Sequence, residues 1–380
     1  MQPSPTIPLP DYPNEIQADP QALGYTREQL LRFYSVMQLS RTFEERLCTL
    51  YKQAKVLGAA YVGMGQEATS VGCASLLESG DLFSTVARNL SAWFYRGADP
   101  RHVMARWLAR DQAPTHGRDL GLFLADLKGL SLAPFSASLA SWIPSGAGYA
   151  MTFKWRKQPN IYLAFTGDGA TSPGDFYEGL NFAAIHKLPL VVIVEVNQFA
   201  YSTPRESQMP VTDVIERAAA FNIYAEQAFG NDLFTVIETA RRGIEHARNG
   251  RGPALIEFKT FRQHGHGEHD DMSYVPAHLR AFWEERDPIA MYQRWLTKRA
   301  KIDADELSAI DAEAVARVDA AVEYAEALPY PKPETVADRV FAPSPHDPPP
   351  GTQAAYEPIE NPAIPSLTAA KERNTEGGHF

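Results

Sequence analysis

Three short runs of this 380-residue chain, at 161–165, 190–194 and 254–258, are almost wholly apolar. Runs of that length without polar alternation read as strands buried on both faces of a parallel sheet. Between the first two, Phe176, Leu180, Ala183 and Ala184 recur at helical spacing. Ser172 and Asp175 offer helix-starting chemistry, and Pro189 closes the segment. This is a strand–helix–strand unit whose crossover should be right-handed and whose strands should end at the same edge of the sheet.

Helical spacing continues on both sides. Thr26 and Gln29 make a capping box ahead of Leu30, Phe33, Tyr34, Met37, Leu47, Leu50 and Tyr51. A second apolar helix starts at Gly65-Gln66-Glu67-Ala68 and runs to Leu77, with Glu67 placed to suit the helix dipole. Small residues from Pro144 to Ala150 begin a helix able to approach the sheet closely. Residues 211–221 and 233–248 read as helices. Leu307, Ile310, Ala314, Val318, Ala321 and Ala325 give a long amphipathic one that Pro329 ends. The fold class is therefore α/β, a mostly parallel sheet flanked by helices over residues 26–342. Residues 1–25 are proline-rich and polar and are expected as an extended arm. Residues 343–380 are expected as an extended proline-rich tail.

The chemistry gathers where the apolar runs stop. Gly167-Asp168-Gly169 breaks the first run where a strand would leave the sheet, and Asn197 follows the second. A hard carboxylate oxygen, an amide oxygen and glycines that let backbone approach phosphate describe a magnesium–diphosphate site. The third run leads into Arg262-Gln263-His264-Gly265-His266-Gly267-Glu268-His269-Asp270-Asp271, where three histidines and two aspartates also admit a metal-site reading. All three places would lie at the carboxyl edge of an open α/β sheet, where ligands gather.

Composition narrows the partners. Hydrophobic residues at 44% and charged ones at 22% suit a globular chain with a large core. A net charge of −10 with no basic run argues against nucleic acid, and means that an anionic ligand needs positive charge from particular residues. Cys48 and Cys73 lack metal or redox spacing and read as buried thiols. No apolar stretch reaches the ~20 residues of a membrane span. The first residues have neither the basic nor the apolar region of a signal peptide. A cytoplasmic protein without membrane contact is expected.

The stretch GDGATSPGDFYEGLNFAA from Gly167, with the turn AYSTP that follows Phe199, resembles the α subunit of branched-chain 2-oxo acid dehydrogenase. The pyruvate dehydrogenase α subunit is a close relative. Gly65-Gln66-Glu67-Ala68, DLFSTVARNLSAWFYRG around Arg88, SASLASWIPSGAG and Asp287-Pro288-Ile289 extend the likeness over residues 26–342. The resemblance implies a thiamin diphosphate-binding fold. It implies magnesium held by Asp168, Asn197 and the backbone carbonyl of Phe199, with Gly167, Gly169 and Ala170 beside the diphosphate. Arg88 would contact the diphosphate and backbone around Leu139 the aminopyrimidine. The family's R-x-x-x-H loop makes His266 the catalytic histidine, also beside the cofactor.

The activity so implied is decarboxylation of a branched-chain 2-oxo acid on thiamin diphosphate, with the acyl group passed to the lipoyl arm of an acyltransferase. A β subunit would complete the site in an α₂β₂ heterotetramer and supply the glutamate that activates the cofactor, since Glu67 belongs to the α-type GQEA motif and Glu178 to the diphosphate crossover helix. The helices at 30–51 and 66–77 are expected to have apolar surface to spare for that interface. The chain departs from the family's pattern at Ala87 (usually Tyr), Trp142 (usually Gln), Val196 (usually Asn) and Gly267 (a phosphorylated Ser in mammalian members). With Trp142, a potassium ion known in some members is not carried over. The GKGGSMH-like stretch of pyruvate dehydrogenases is missing from 111–135, which favours the branched-chain branch. A pyruvate or acetoin dehydrogenase α subunit and a non-catalytic α-like interaction protein are the rivals.

Overall fold

The computed structural model describes residues 9–119, 124–336 and 338. The first eight residues of the arm and the tail expected at 343–380 lie outside the described residues. The chain divides into two compact units, Met1–Pro331 and Lys332–Phe380.

Asp19 and Pro20 start a single turn, α1 (Pro20–Leu23), inside the arm that the sequence reads as extended. Ile16 is buried and Tyr12 stacks on Phe229 at 4.8 Å, so this part of the arm lies on the body. The Thr26–Gln29 capping box opens α2 (Arg27–Lys52). There follow α3 (Glu67–Ala74), β1 (Leu82–Ser84), α4 (Leu90–Tyr95), α5 (Pro100–Trp107) and α6 (Trp142–Trp155). The central unit is β2 (Tyr162–Gly167), α7 (Gly174–Ile185) and β3 (Leu190–Val196). Next come a two-residue pair, β4 (Phe199–Ala200) and β5 (Thr203–Pro204), and α8 (Arg205–Gln208). Then come β6 (Tyr224–Phe229), α9 (Leu233–Arg248), β7 (Ala254–Lys259), α10 (Ala277–Glu284), α11 (Pro288–Lys298) and α12 (Ala304–Ala327).

Strands β1, β2, β3, β7 and β6 pair in parallel in that order. Their side chains alternate between two cores. Leu163, Phe165, Val191, Ile193, Ile256 and Phe258 pack with residues of α2, α3, α9 and α12. Tyr162, Ala164, Leu190, Val192 and Val194 pack with α6, α7 and the segment Val214–Phe221. Continuous apolar runs are what burial on both faces requires. The small residues of α6 serve the close approach expected of them. A Cβ on Gly146 would come within 2.4 Å of the Tyr162 ring, and one on Gly179 of α7 within 2.8 Å of the Pro144 backbone.

Four sequence-based expectations change. The helix read at 211–221 is a 3₁₀ segment, Val214–Phe221, opened by an Asp213–Glu216 capping box. α7 starts at Gly174 without a side-chain cap, because residues 168–171 first make a 3₁₀ turn. Strands β1 and β6 join the sheet although no apolar run announces them. β1 is only three residues long, and β6 is a half-buried edge strand carrying Glu226 and Gln227. Finally, α2 and α3 have no apolar surface to spare, since α3 is buried along its whole length and α2 feeds two cores. The exposed large apolar side chains instead include Trp155, Phe182 and Ile185, on α6 and α7. Among the described residues no helix is long and apolar enough to cross a membrane.

Candidate functional site

Because the strands are parallel, β1, β2, β3 and β7 all release the chain at one edge, and a cavity of about 520 Å³ opens there. All nine residues singled out from the sequence line it: Arg88, Leu139, Gly167, Asp168, Gly169, Ala170, Asn197, Phe199 and His266. Leu139 is half exposed at 53%, whereas Asp168, Asn197 and Phe199 are buried.

Asp168 follows β2 directly. Its Oδ1 accepts from the Gly169 amide at 3.0 Å, and its Oδ2 faces Gln208 Nε2 at 3.4 Å. Burial outweighs these bonds and pushes its carboxyl above the usual range. Asn197 follows β3. Its Nδ2 donates to Gln66 Oε1 at 3.1 Å, which fixes the amide and leaves Oδ1 buried with no hydrogen-bond partner. A buried carbonyl oxygen left unpaired costs about 1–3 kcal/mol. A desolvated carboxylate beside it is costly as well. A hard dication between the two would relieve both, so the donor set fits magnesium. Gly169 is required by the neighbouring turn, since a Cβ there would lie 2.8 Å from the Ala200 methyl.

Positive charge enters from the other side. Arg88 Nη1 donates to the Val62 carbonyl at 2.8 Å and Nη2 to the His266 carbonyl at 2.6 Å. Burial and the nearby Arg262 lower Arg88 to about 9. Arg262 also lines the cavity, donating to the Tyr201 carbonyl at 2.9 Å and to the Tyr274 hydroxyl at 2.6 Å. Two guanidinium groups that burial disfavours as cations make a cradle for an anion such as a diphosphate. His266 Nδ1 faces Arg88 Nη2 at 3.2 Å and Arg262 Nη1 at 3.4 Å. Because both neighbours can only donate, Nδ1 is the acceptor and the ring proton sits on Nε2. Burial, then Arg88 and Arg262, lower His266 to about 4, so it is neutral near pH 7. Tyr61 and Tyr201 hold its ring edge-on and tilted, at 5.3 and 4.7 Å.

Three more buried carboxylates lie near these groups, and Glu195 among them lines the cavity. Glu195 accepts from Thr69 Oγ1 and, at 2.8 Å, from Asn89 Nδ2. Glu44 accepts from the Gly63 amide at 2.7 Å, and burial with the nearby Glu67 pushes it up to about 8. Glu67 sits at the first turn of α3, as expected, and pairs with Arg41 at 2.6 Å. Trp142 donates its indole N–H to the Phe165 carbonyl at 2.8 Å, and Ala87 lines the cavity.

The loop after β7 does not form a metal site from its own histidines and aspartates. His266 lies among the arginines, and exposed His269 stands beside Tyr201 at 6.5 Å. Asp270 binds the His266 amide and the Tyr274 hydroxyl, each at 2.6 Å, while His264 turns away to Glu268 and Cys48. Sequence reasoning missed Gln66, Glu195, Tyr61 and Arg262 as cavity residues. The signal for Arg262 was its place at the exit of the third apolar run. Gln66 stood next to the Glu67 that was considered. Nothing local marked Tyr61.

Comparison with known proteins agrees with this architecture. Residues 35–334 match the family model described as "Dehydrogenase E1 component". The α subunit of acetoin:2,6-dichlorophenolindophenol oxidoreductase from Bacillus subtilis is 32% identical over 84% of this chain and 96% of its own length. Its counterpart from Cupriavidus necator is 33% identical over 85% and 97%. The pyruvate dehydrogenase E1 component α subunit of Rhizobium meliloti is 32% identical over 81% and 88%. The chain belongs to the dehydrogenase E1 component family.

Proposed function

We propose that the chain is the α subunit of a thiamin diphosphate- and magnesium-dependent 2-oxo acid dehydrogenase. It would work with a β subunit and pass acyl groups to the lipoyl arm of an acyltransferase, in the cytoplasm. The observation that carries the reading is the meeting of Asp168, an unpartnered Asn197 Oδ1, Arg88 and neutral His266 in one cavity.

In this reading Asp168, Asn197 and the Phe199 carbonyl hold magnesium, while Arg88 and Arg262 offset the charge of the diphosphate. Bound thiamin diphosphate would supply the acidic carbon and the electron sink that decarboxylation needs. His266 presents Nε2–H as a hydrogen-bond donor to developing negative charge and keeps that proton while doing so. Its Nδ1, faced by two arginines, keeps the ring neutral and oriented.

The motifs around Gly167, and the missing GKGGSMH-like stretch, favour a branched-chain 2-oxo acid as substrate. The second reading is acetoin or pyruvate, favoured by the names of the relatives at 32–33% identity. Co-expression with the β partner and assay against acetoin, pyruvate and three branched-chain 2-oxo acids separates them. Turnover of none of the five, with no thiamin diphosphate binding by calorimetry, would leave the non-catalytic alternative.

A further inference from the structure

Cys48 Sγ on α2 and His264 Nε2 in the loop after β7 lie 3.9 Å apart, although 216 residues separate them in sequence. Glu268 adds a carboxylate hydrogen-bonded to the same His264 Nε2, and the three donor atoms all lie within 4.8 Å of one another. No other such group of three occurs among the described residues. None of the three lines the cavity. We propose that Cys48, His264 and Glu268 bind a zinc-type divalent cation that clamps the loop carrying His266 to α2.

The spacing suits one ion. Ligands at about 2.0–2.3 Å from a tetrahedral zinc stand roughly 3.3–3.7 Å from each other, which small side-chain movements reach from the separations seen. The donor set selects the class of cation. A thiolate and an imidazole suit zinc and its neighbours, while magnesium and calcium prefer oxygen alone. Three protein ligands leave a fourth position for water. Lys52 Nζ now occupies the outer side of Glu268 at 2.9 Å, and its side chain is 70% exposed, so it can swing into solvent when a dication arrives.

Burial and the adjacent Glu268 push the Cys48 thiol up, so it keeps its proton in the metal-free protein. Binding then breaks the S–H bond, forms the metal–sulfur bond and releases the proton to solvent, with no change of oxidation state. Affinity therefore rises with pH. His264 and Glu268 flank His266 at two residues on either side, and the Glu268 amide is already held by the Ala60 carbonyl at 3.0 Å. A metal there would fix both approaches to His266 without touching the cavity.

Cobalt(II) titration of the purified full chain tests this without any assay of turnover. One equivalent should produce tetrahedral visible bands and a sulfur-to-cobalt charge-transfer band, and zinc should displace both. A large excess of magnesium should displace neither, which separates this site from the one at Asp168. Cys48→Ser and His264→Ala should remove the charge-transfer band and the tight equivalent, respectively. Glu268→Gln should weaken binding at least about tenfold. Cys73→Ser, at a buried thiol outside the group, should change nothing. Circular dichroism of each variant checks folding. A folded wild-type chain without the charge-transfer band would overturn the proposal, as would a band that survives Cys48→Ser.

Discussion

Arg88 reaches His266 twice, donating from Nη2 to its backbone carbonyl at 2.6 Å and facing its ring Nδ1 at 3.2 Å. One guanidinium thus joins the segment after β1 to the loop after β7 across the mouth of the sheet. A planar fork can do this while keeping other donors for an anion, and an ammonium cannot. Arg88→Lys should therefore weaken thiamin diphosphate binding about tenfold to a hundredfold, the value of one or more charged hydrogen bonds. It should also raise hydrogen exchange in residues 262–270. Calorimetry and exchange measured on the same protein check both effects. Unchanged affinity would remove Arg88 from the site.

The pH dependence of stability follows from the same pair. Burial first, then Arg88 and Arg262, take His266 from 6.5 to about 4. The unfolded chain therefore binds a proton at higher pH than the folded one. The contribution is fully present above about 6.5 and is lost as pH falls toward 4. His266→Asn should remove this loss. Melting temperatures of the two proteins across that window should converge as the solution becomes acidic, and parallel curves would contradict the lowered value.

His266→Ala should cut kcat by roughly 10²–10⁴ while changing cofactor affinity much less, because a neutral donor beside the reacting carbon acts mainly in the transition state. His269→Ala should have a smaller effect, since that ring is exposed and stands beside Tyr201. Equal kcat in the two variants would show the histidine to be wrongly assigned within the loop.

Much of this site was legible in the sequence because its residues sit where apolar runs stop. A strand buried on both faces must be continuous, so its end is sharp, and Asp168 and Asn197 stand just beyond such ends. Arg88 was found by its surrounding motif, as the three-residue β1 gives no pattern of its own. Edge strand β6 escaped notice because half-burial lets Glu226 and Gln227 into it. The group of Cys48, His264 and Glu268 could not be read at all. Its members come from distant parts of the chain, and only the packing of α2 beside the β7 loop brings them together.

Asp168→Ala should abolish magnesium-dependent cofactor binding and leave the fold intact. Its carboxylate is buried, raised by desolvation and without a salt bridge, so its loss removes an unfavourable charge from the apo protein. The melting temperature without magnesium should stay the same or rise, and the increase on adding magnesium and thiamin diphosphate should disappear. Retained thiamin diphosphate affinity would sink the assignment.

Gly146→Leu tests the packing of α6 without appeal to any ligand. Its side chain would enter space already filled by the Tyr162 ring, 2.4 Å from the first added carbon. Forcing the helix off the sheet should cost about 1–3 kcal/mol or more. Chemical denaturation gives the number, and a loss below half a kilocalorie would mean that α6 shifts freely.

The chain alone should not turn over substrate, even with thiamin diphosphate and magnesium. It contributes one parallel sheet and one edge of strand ends, and family chemistry also needs a glutamate to activate the cofactor ring. Among the described residues Glu195 is the glutamate that lines the cavity. Both oxygens of Glu195 are engaged, by Thr69 and Asn89, and Glu67 is paired with Arg41. Trp155, Phe182 and Ile185 remain exposed on α6 and α7, at 76%, 41% and 69%. Apolar side chains left open on neighbouring helices are what an obligate interface would cover. Purified chain should be silent in 2-oxo acid decarboxylation with an artificial electron acceptor and become active on mixing with its β partner. Steady turnover by the chain alone would refute the divided site, because the missing glutamate would then have to lie within these 380 residues.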